Sequence, residues 1–282
     1  MNNAVFIKSA AFNEIAATYD AVEVSNSIFQ GMRQRVQRAA LSTFERGGRI
    51  LEAGCGTGTD ALFFAGRGYR VVALDPSSEM VAVASEKILL AGFSDAVEFR
   101  QGDAERIEEL VKIYGAASFD GIFSNFGALN CVADLRSFAR GAAHLLRPGG
   151  MMLLNIMPPI CPWEIGYYLF KRQPAEAFRR WRGRSGTPGV SVNVGHQKIQ
   201  TYYYTPVAVV AAFLHSFEIE KQFAIGVLVP PPYLHGITRH QRLFSVLLNF
   251  EKVMAGWPLL RNWGDHVVII LRKRASSRME KD

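Results

Sequence analysis

Three glycines at alternate positions, Gly54, Gly56 and Gly58, follow a short apolar run that ends at the acidic residue Glu52. Glycine lets the backbone approach a ligand closely because it has no side chain. The residues after the glycines have a helical pattern, and the free N–H groups at the start of a helix can face a bound ligand. The stretch therefore predicts a nucleotide-binding turn between a strand and a helix.

The spacing of the glycines discriminates between the nucleotides that such a turn could hold. The dinucleotide fingerprint G-x-G-x-x-G requires a glycine where this chain has Thr59. A phosphate loop requires a Lys-Ser/Thr pair, which does not follow the glycines. The carboxylate of Glu52 is unsuited to a pyrophosphate and suited to a cation. NAD binding is therefore the weaker interpretation.

Three later strand-like runs, 69–75, 97–102 and 119–125, also end in residues that could hold a ligand. At these ends stand Asp75, the turn Gly102-Asp103-Ala104, and the pair Asn125 and Phe126. A carboxylate at the first of these ends can accept hydrogen bonds from both hydroxyls of a ribose. Four consecutive strand ends of this kind indicate one extended nucleotide site.

Over about residues 10–157, this order of motifs resembles the class I S-adenosylmethionine (SAM) methyltransferases. The resemblance implies SAM as cofactor and S-adenosylhomocysteine as product. Glu52 would face the positively charged methionine end, Asp75 the ribose, and Asp103 the adenine amine. The end of the fourth strand, at Asn125 and Phe126, would face the transferable methyl. The cofactor-binding set that we predict is Tyr19, Arg33, Glu52, Gly54, Gly56, Gly58, Asp75, Met80, Gly102, Asp103, Ala104, Asn125 and Phe126.

Strand-like and helix-like runs alternate from residue 49 to 157, which predicts an α/β fold with a doubly wound parallel sheet. Each motif residue then lies near the carboxyl end of a strand, where ligands bind in such folds. Later runs at 216–224 and 267–272 complete a seven-stranded, mostly parallel sheet of the class I methyltransferase type, with an antiparallel last strand and lid insertions.

We predict a single domain, 1–282, with a cofactor core at about 45–157. The lid over the acceptor would come from residues 1–44, 157–206 and 226–264.

Two N-terminal helices are expected to reach the cofactor. The segment 10–20 resembles the F-x-x-I-A-x-x-Y-D opening of small-molecule methyltransferases, which would place Tyr19 over the methionine moiety. Arg33, on an amphipathic helix at 31–44, could reach the cofactor carboxylate, as an arginine does in some relatives. The alternatives are a plain packing helix for the first segment and a solvated side chain for Arg33.

Methyl transfer from a sulfonium requires alignment in a dry pocket. It requires a base only if the acceptor loses a proton. The candidate bases are His196, His235 and His240, since imidazole titrates near neutral pH. Surface positions are the alternative for all three. After the fourth strand there is no Asp/Asn-Pro-Pro-Tyr/Phe sequence, the tetrapeptide of many amino methyltransferases. The chain therefore resembles the small-molecule branch.

The lid is rich in aromatic residues and poor in acids, which indicates a hydrophobic or aromatic acceptor. The candidate substrate-binding residues are Trp163, Tyr167, Tyr202, Tyr204 and Tyr233. Tyr202 and Tyr204 would share one face of a strand, for which packing on a helix is the alternative. Arginines between 172 and 184 could hold an acidic group of the acceptor or contact an anionic membrane surface, or could simply be solvated.

The composition excludes several other classes. The chain has 282 residues and a formal net charge of +7, which attracts anionic partners. Nucleic acid is nevertheless not expected, because no RNA-binding module is recognisable. Three scattered cysteines suggest neither a zinc site nor a disulfide framework. The first residues lack signal-peptide character, and no apolar run approaches the roughly 18 residues of a membrane span. We therefore expect a cytoplasmic protein, with peripheral membrane contact as an option.

The sequence thus predicts an enzyme that methylates an oxygen or carbon, less readily a nitrogen, of a small hydrophobic metabolite. Two alternatives stay open: an RNA or protein methyltransferase, and a SAM-binding scaffold without catalysis. The oligomeric state does not follow from the sequence.

Overall fold

The computed structural model of the chain describes residues 3–184, 186–234 and 241–275. Within these residues, nine strands and eleven α-helices alternate for much of the chain. The strands are β1 (Arg49–Ala53), β2 (Arg70–Asp75), β3 (Val97–Gln101), β4 (Phe119–Ser124), β5 (Leu146–Ile156), β6 (Val190–Val194), β7 (Gln197–Thr201), β8 (Phe217–Ile225) and β9 (His266–Lys273). The helices are α1 (Asn3–Val24), α2 (Ser27–Thr43), α3 (Thr59–Ala65), α4 (Ser78–Leu90), α5 (Val111–Tyr114), α6 (Leu135–Leu145), α7 (Pro162–Phe170), α8 (Pro174–Ala177), α9 (Arg179–Arg182), α10 (Pro206–Phe213) and α11 (Gln241–Met254).

Seven of the strands form one sheet in the order β3-β2-β1-β4-β5-β9-β8. Strands β1 to β5 are parallel to one another, and β9 runs antiparallel to both β5 and β8. The predicted fold, a mostly parallel seven-stranded sheet with an antiparallel last strand, is confirmed. The strands β6 and β7 form a separate antiparallel hairpin.

The central strands are buried on both faces, which explains their nearly continuous apolar sequences. Successive side chains of a strand point to opposite faces, so Ile122 and Phe123 of β4 enter different core clusters. On one face Phe138 of α6 and Phe213 of α10 pack on the sheet, and on the other Phe64 of α3 does so. This double layer holds the carboxyl ends of the strands in fixed register.

Helix caps follow the residues that the sequence offers. The side chain of Ser77 accepts a hydrogen bond from Met80 N at the start of α4, and Asp134 caps α6 in the same way. Gly58 precedes α3 with a φ of +75°, a conformation that favours glycine. The turn after β1 therefore leads directly into a helix, as predicted.

The segments outside the sheet differ in detail from the prediction. Helix α1 extends well beyond 10–20 at both ends, and the basic segment after β5 forms three short helices. Pro162 and Pro174 start two of them, because proline is tolerated at the first turn of a helix but not in its interior. The hairpin strand β7 ends at Thr201, so the three tyrosines that follow do not lie on a strand.

Helix α1 is held between the sheet domain and the hairpin. The side-chain oxygen of Asn13 accepts hydrogen bonds from Ser77 Oγ at 2.6 Å and from Glu79 N at 3.2 Å. On its other side, the carboxylate of Glu14 accepts the backbone N–H of His196 at 3.0 Å. The helix and the hairpin thus cover the carboxyl edge of the sheet. Assigning them as an acceptor lid stays a prediction.

Candidate active site

A cavity of about 850 Å³ lies at the carboxyl edge of the parallel strands. Its wall is formed by the ends of β1, β2 and β4, by α1 and α2, and by the hairpin of β6 and β7. It therefore joins the predicted nucleotide motifs to the segments predicted as a lid. This is where an open α/β sheet binds its ligands.

The three glycines of the loop, Gly54, Gly56 and Gly58, have different structural roles. A Cβ at Gly54 would lie 2.3 Å from the Cβ of Ala128, and one at Gly58 would lie 2.8 Å from the Cβ of Ala84. Both positions require glycine for packing inside the protein. Gly56 has a φ of +52° and lines the cavity, and an added Cβ there would meet no atom within 4 Å. Gly56 therefore keeps space open for a ligand.

Asp75, at the end of β2, is fixed by the glycine turn. Its carboxylate accepts the N–H of Gly56 at 2.8 Å and the N–H of Ser77 at 2.9 Å. Burial raises the pKa of Asp75 to about 6, although these two hydrogen bonds lower it. The carboxylate also lines the cavity, where its remaining lone pairs can accept hydrogen bonds from hydroxyl groups.

Glu52, in the same wall of the cavity, has a carboxyl group with an unpaired oxygen atom. Its side chain is buried, and its Oε2 has no hydrogen-bond partner among the described residues. Burial, and next the charge of Asp60, raise its pKa well above the ordinary value. A cationic group in the cavity would pair with this carboxylate and lower the cost of burying its charge.

Arg33 stands opposite, held between two carboxylates. Its Nη2 donates to both oxygens of Glu23 at 2.6 and 2.7 Å, and its Nη1 contacts Asp60. The guanidinium carbon lies 4.6 Å from the ring centre of Phe126. Asp60 in turn accepts from the amide of Asn125 at 2.8 Å. This network links α1 and α2 to α3 and to the end of β4, so Arg33 is not a solvated side chain.

Lys8 of α1 reaches the third strand end. Its Nζ lies 2.8 Å from Asp103 Oδ2, and both side chains are almost fully buried. Because a buried charge needs a partner, this pair fixes α1 over the turn after β3. The ion pair also limits the free acceptor capacity of Asp103.

The other end of the cavity contains a second buried ion network. Arg180 donates from Nε to Glu164 at 2.5 Å and from Nη2 to Asp265 at 2.7 Å. Asp265 also contacts His266, whose Nδ1 lies 3.1 Å from Asp265 Oδ2. Arg179 donates to the other oxygen of Glu164 at 2.7 Å. Four of these five residues line the cavity, and Glu164 supports them from behind.

Comparison with known proteins identifies the fold and its motifs. Residues 50–150 match the family model described as a methyltransferase domain. A demethylmenaquinone methyltransferase of Clavibacter sepedonicus is 31% identical over 169 residues, which cover 59% of this chain and 65% of that protein. The ubiquinone biosynthesis O-methyltransferase of Methylocella silvestris is 36% identical over 104 residues, 37% of this chain and 38% of that one. The chain thus spans less than two thirds of the length of these curated relatives.

Solved structures agree on the architecture. A SAM-dependent methyltransferase from Mesorhizobium loti superposes with a TM-score of 0.54 at 20% identity, covering 84% of this chain and 95% of that one. Residues 50–150 therefore belong to the methyltransferase-domain family, and the order of the seven strands is that of the class I SAM-dependent type. The predicted family is confirmed.

The residues that line the cavity fit SAM, the cofactor of the class I methyltransferase fold. Glu52 and the carboxylate network around Arg33 suit the charged methionine end, and Asp75 suits the ribose hydroxyls. The open space at Gly56 allows the ligand to approach the backbone. Lys8 forms an ion pair with Asp103, so an adenine amine would have to share this carboxylate with the lysine.

Most of the residues that the sequence predicts for cofactor binding line the same cavity. The members of the predicted set that line the cavity are Tyr19, Arg33, Glu52, Gly54, Gly56, Asp75, Met80, Asp103, Ala104, Asn125 and Phe126. Gly58 and Gly102 do not line it; a Cβ at Gly102 would lie 2.8 Å from Leu74 Cδ1, so this glycine is required for packing. The role of each residue in binding SAM stays a prediction.

The predicted acceptor residues are mostly placed elsewhere. Tyr233 lines the cavity, whereas Trp163, Tyr167, Tyr202 and Tyr204 do not. Tyr203 continues the alternation of Ile199 and Thr201 and faces the cavity, whereas Tyr202 and Tyr204 stack on each other at 6.3 Å beside the core. Tyr204 donates to the backbone oxygen of Ala133 at 3.1 Å, which explains its buried position.

Of the three predicted bases, His196 lies among the described residues, and it does not line the cavity. The His196 side chain is 94% exposed at the hairpin turn and pairs with Glu14, so its geometry does not support a catalytic role. His235 and His240 lie outside the described residues. The histidine that does line the cavity is His266, which the sequence analysis missed because it directly precedes an apolar strand and belongs to no motif.

We expect the affinity of the methyltransferase for SAM to fall at acidic pH. The ribose hydroxyls require the ionised form of Asp75, whose pKa is raised to about 6, so protonation below that pH removes the acceptor. Between about pH 7.5 and about pH 5, the dissociation constant should rise roughly tenfold. Calorimetric titration across this range measures the change. Asp75→Asn should bind weakly and lack this pH dependence; a wild-type profile that is flat would contradict the assignment.

Proposed function

We propose that this chain transfers a methyl group from SAM to an oxygen or carbon of a small aromatic acceptor of the hydroquinone type. One observation carries the proposal: a single cavity joins the cofactor motifs to an apolar chamber that ends in a buried polar cluster. An acceptor in that chamber would lie against the cofactor and away from water, as displacement at a sulfonium methyl requires.

The apolar part of the chamber comes from one face of the hairpin. Val192 and Val194 of β6 and Ile199 and Thr201 of β7 line the cavity, and these residues alternate along their strands. In the pairing of the two strands, Val192 lies opposite Ile199. Such a surface suits a flat, hydrophobic ring. The ring of Phe126 from the end of β4 and the ring of Tyr233 extend it.

The residues of this chain would bind, orient and exclude water. SAM, when bound, supplies a methyl group on a positively charged sulfur that leaves as a neutral thioether. Glu52 and Asp75 would hold the cofactor at its two polar parts, and α1 with the hairpin would cover it. Because the leaving sulfur needs no acid, the positioning of the acceptor is the main task of the protein.

The similarity to the quinone-biosynthesis methyltransferases favours an aromatic hydroxyl compound as acceptor. The hydroxyl groups of a hydroquinone would suit the polar end of the cavity at Arg179, Arg180 and His266, while its ring would pack on the hairpin. The choice between oxygen and carbon stays open in this proposal.

A transfer assay tests the proposal. The purified protein would be incubated with SAM carrying a labelled methyl group and, in separate reactions, benzene and naphthalene hydroquinones, bulk RNA and a protein extract. Label in the hydroquinone fraction is the expected result. Label in RNA or protein alone would replace the proposal with a macromolecular methyltransferase. SAM binding without transfer to any of these would favour a scaffold.

A substitution on the hairpin should separate acceptor binding from cofactor binding. Val192→Arg places a long charged side chain in the apolar chamber, so turnover should fall by about 100-fold or more while SAM affinity stays unchanged. Asn193→Arg is the matched control, because its neighbouring position faces solvent on the opposite side of the strand. Equal turnover in the two variants would show that the hairpin does not contact the acceptor.

We further propose that the lid contacts an anionic membrane surface. No helix in the described part of the chain is long and apolar enough to cross a membrane. However, Leu169 and Phe170 at the end of α7 are 47% and 84% exposed, and the basic residues Lys171 and Arg172 follow them directly. Exposed apolar groups beside cations suit the surface of an anionic bilayer. Phe170→Ser should reduce co-sedimentation with anionic vesicles; equal sedimentation with neutral vesicles would oppose this contact.

A further inference from the structure

A histidine and an aspartate lie side by side at the start of β9, in the wall of the acceptor end of the cavity. Asp265 and His266 are only 3% and 6% exposed. Neither belongs to the cofactor motifs. Buried ionisable groups are costly to retain, so a pair that lines a cavity is a candidate for chemistry.

The topology explains how this pair reaches the site. Strand β9 is antiparallel to β5, so its first residue lies at the same edge as the carboxyl ends of the parallel strands. There the ring of His266 contacts the ring of Phe126, with 5.6 Å between their centres. Phe126 follows β4, the strand whose end is expected to face the transferable methyl. His266 therefore lies on the acceptor side of that position.

The hydrogen bond to Asp265 defines which ring nitrogen can act as a base. Asp265 Oδ2 lies 3.1 Å from Nδ1 of His266, while Arg180 donates to Asp265 Oδ1 at 2.7 Å and to its backbone oxygen at 2.9 Å. Burial alone would raise the pKa of Asp265, but the charges of His266 and Arg180 outweigh it and lower the pKa. An ionised Asp265 accepts a hydrogen bond from Nδ1 whether or not the ring is charged, so in the neutral imidazole Nε2 carries the lone pair.

We propose that His266 is the general base that removes the proton from a hydroxyl group of the acceptor, and that Asp265 and Arg180 position it. The inference rests on the proposed function and deepens it. The O–H bond of the acceptor breaks and its proton passes to Nε2 of His266. An electron pair on the oxygen forms the bond to the methyl carbon, and the pair of the carbon–sulfur bond stays on sulfur. Asp265 stabilises the resulting imidazolium.

The surroundings of the pair support this direction of proton transfer. Arg180 of α9 offsets the charge of Asp265 and itself pairs with Glu164 of α7. Tyr203 and Tyr233 line the same end of the cavity. Because burial raises the pKa of both phenols, they stay protonated and can donate hydrogen bonds to the acceptor oxygen. A base acts only in its unprotonated form, so kcat should be lower at acidic pH.

The first test combines substitution with a pH profile, using a naphthalene hydroquinone as acceptor. His266→Ala should lower kcat by about 100-fold or more, abolish the acidic limb of the kcat profile, and leave SAM affinity unchanged. Added imidazole should restore part of the rate, which a merely structural role would not predict. His144→Gln is the matched control, since His144 is exposed on α6 and pairs with Glu108. Wild-type kcat and pH profile in His266→Ala would overturn the proposal.

A second measurement tests the role of His266 without requiring methyl transfer. If no acceptor in the panel is methylated, that result counts against the proposed function and not against the role of His266. With S-adenosylhomocysteine bound, 4-nitrophenol would be added at a pH below its own pKa and followed by its absorbance. The wild type should bind the probe as phenolate, because His266 takes its proton, and His266→Gln should not. Absence of phenolate in the wild type, or equal phenolate in both proteins, would overturn the role of His266.

Discussion

Gly56→Val should abolish measurable SAM binding while the protein stays folded. Gly56 opens directly onto the cavity, with no atom within 4 Å of an added Cβ, so the isopropyl group would occupy the space that the ligand needs. Its N–H is also one of the two donors that fix Asp75. We expect the dissociation constant to rise by about 100-fold or more, which corresponds to roughly 3 kcal/mol. Calorimetry with SAM, S-adenosylhomocysteine and NAD measures this loss.

A control substitution at a second glycine distinguishes the steric effect on SAM binding from the destabilising effect of backbone strain. Gly56 has a φ of +52°, in the left-handed region that side chains other than glycine disfavour, so valine there costs about 1–2 kcal/mol of stability. Gly68 has a φ of +82°, equally open surroundings and no place in the cavity. Gly68→Val should therefore lose comparable stability and keep its SAM affinity. Normal SAM binding by a folded Gly56→Val would refute the cavity as the cofactor site, and NAD binding would refute the cofactor.

Arg180→Ala should cause the largest loss of stability among the substitutions considered. The guanidinium of Arg180 is buried and pairs with Glu164 and Asp265, which are also buried. Removing it leaves Glu164 with Arg179 and Asp265 with His266 as their remaining partners, and breaking a buried ion pair in this way costs about 3–5 kcal/mol. Urea unfolding at neutral pH, with and without a saturating concentration of SAM, measures the change.

The matched control for this substitution is two residues away. Arg182 is exposed and donates to the backbone oxygen of Ala175, so Arg182→Ala should change stability by less than about 1 kcal/mol. Protonation of Glu164 and Asp265 removes the charges that are costly to bury. The loss in free energy of unfolding caused by Arg180→Ala should therefore become smaller as the pH falls. A deficit below about 1 kcal/mol at neutral pH would mean that water reaches these carboxylates and that the cluster is not a buried framework for His266.

The cofactor half of the site could be predicted because its information is local in the chain. A strand, a turn and the start of a helix are consecutive, so the glycine loop and the acid at the end of β2 could be recognised one element at a time. The rule that parallel strands end at one edge of the sheet then brought Glu52, Asp75 and Asn125 together without any contact being known. The long β-strands and the caps at Ser77 and Asp134 followed for the same reason.

The acceptor half was harder because its partners are far apart in sequence. The choice among the three tyrosines depended on which face of this segment meets the cavity: Tyr203 continues the alternation of Ile199 and Thr201, so Tyr202 and Tyr204 face the core. His196 looked like a loop histidine near the site, but the hairpin turn projects it into solvent. No periodicity in the chain could have shown these outcomes, since both depend on how the hairpin docks on α1.

The sequence by itself determined the fold, the family and the approximate place of the cofactor, because apolar periodicity, turn glycines and strand-end carboxylates act over a few residues. The tertiary structure decided which charges meet. The pairs Lys8–Asp103, Arg33–Glu23 and Arg180–Asp265 join different elements, and the last spans 85 positions of the chain. Only the antiparallel direction of β9 places His266 at the edge where the parallel strands end. Long-range packing, not local pattern, therefore determines which residues can carry the chemistry of the acceptor.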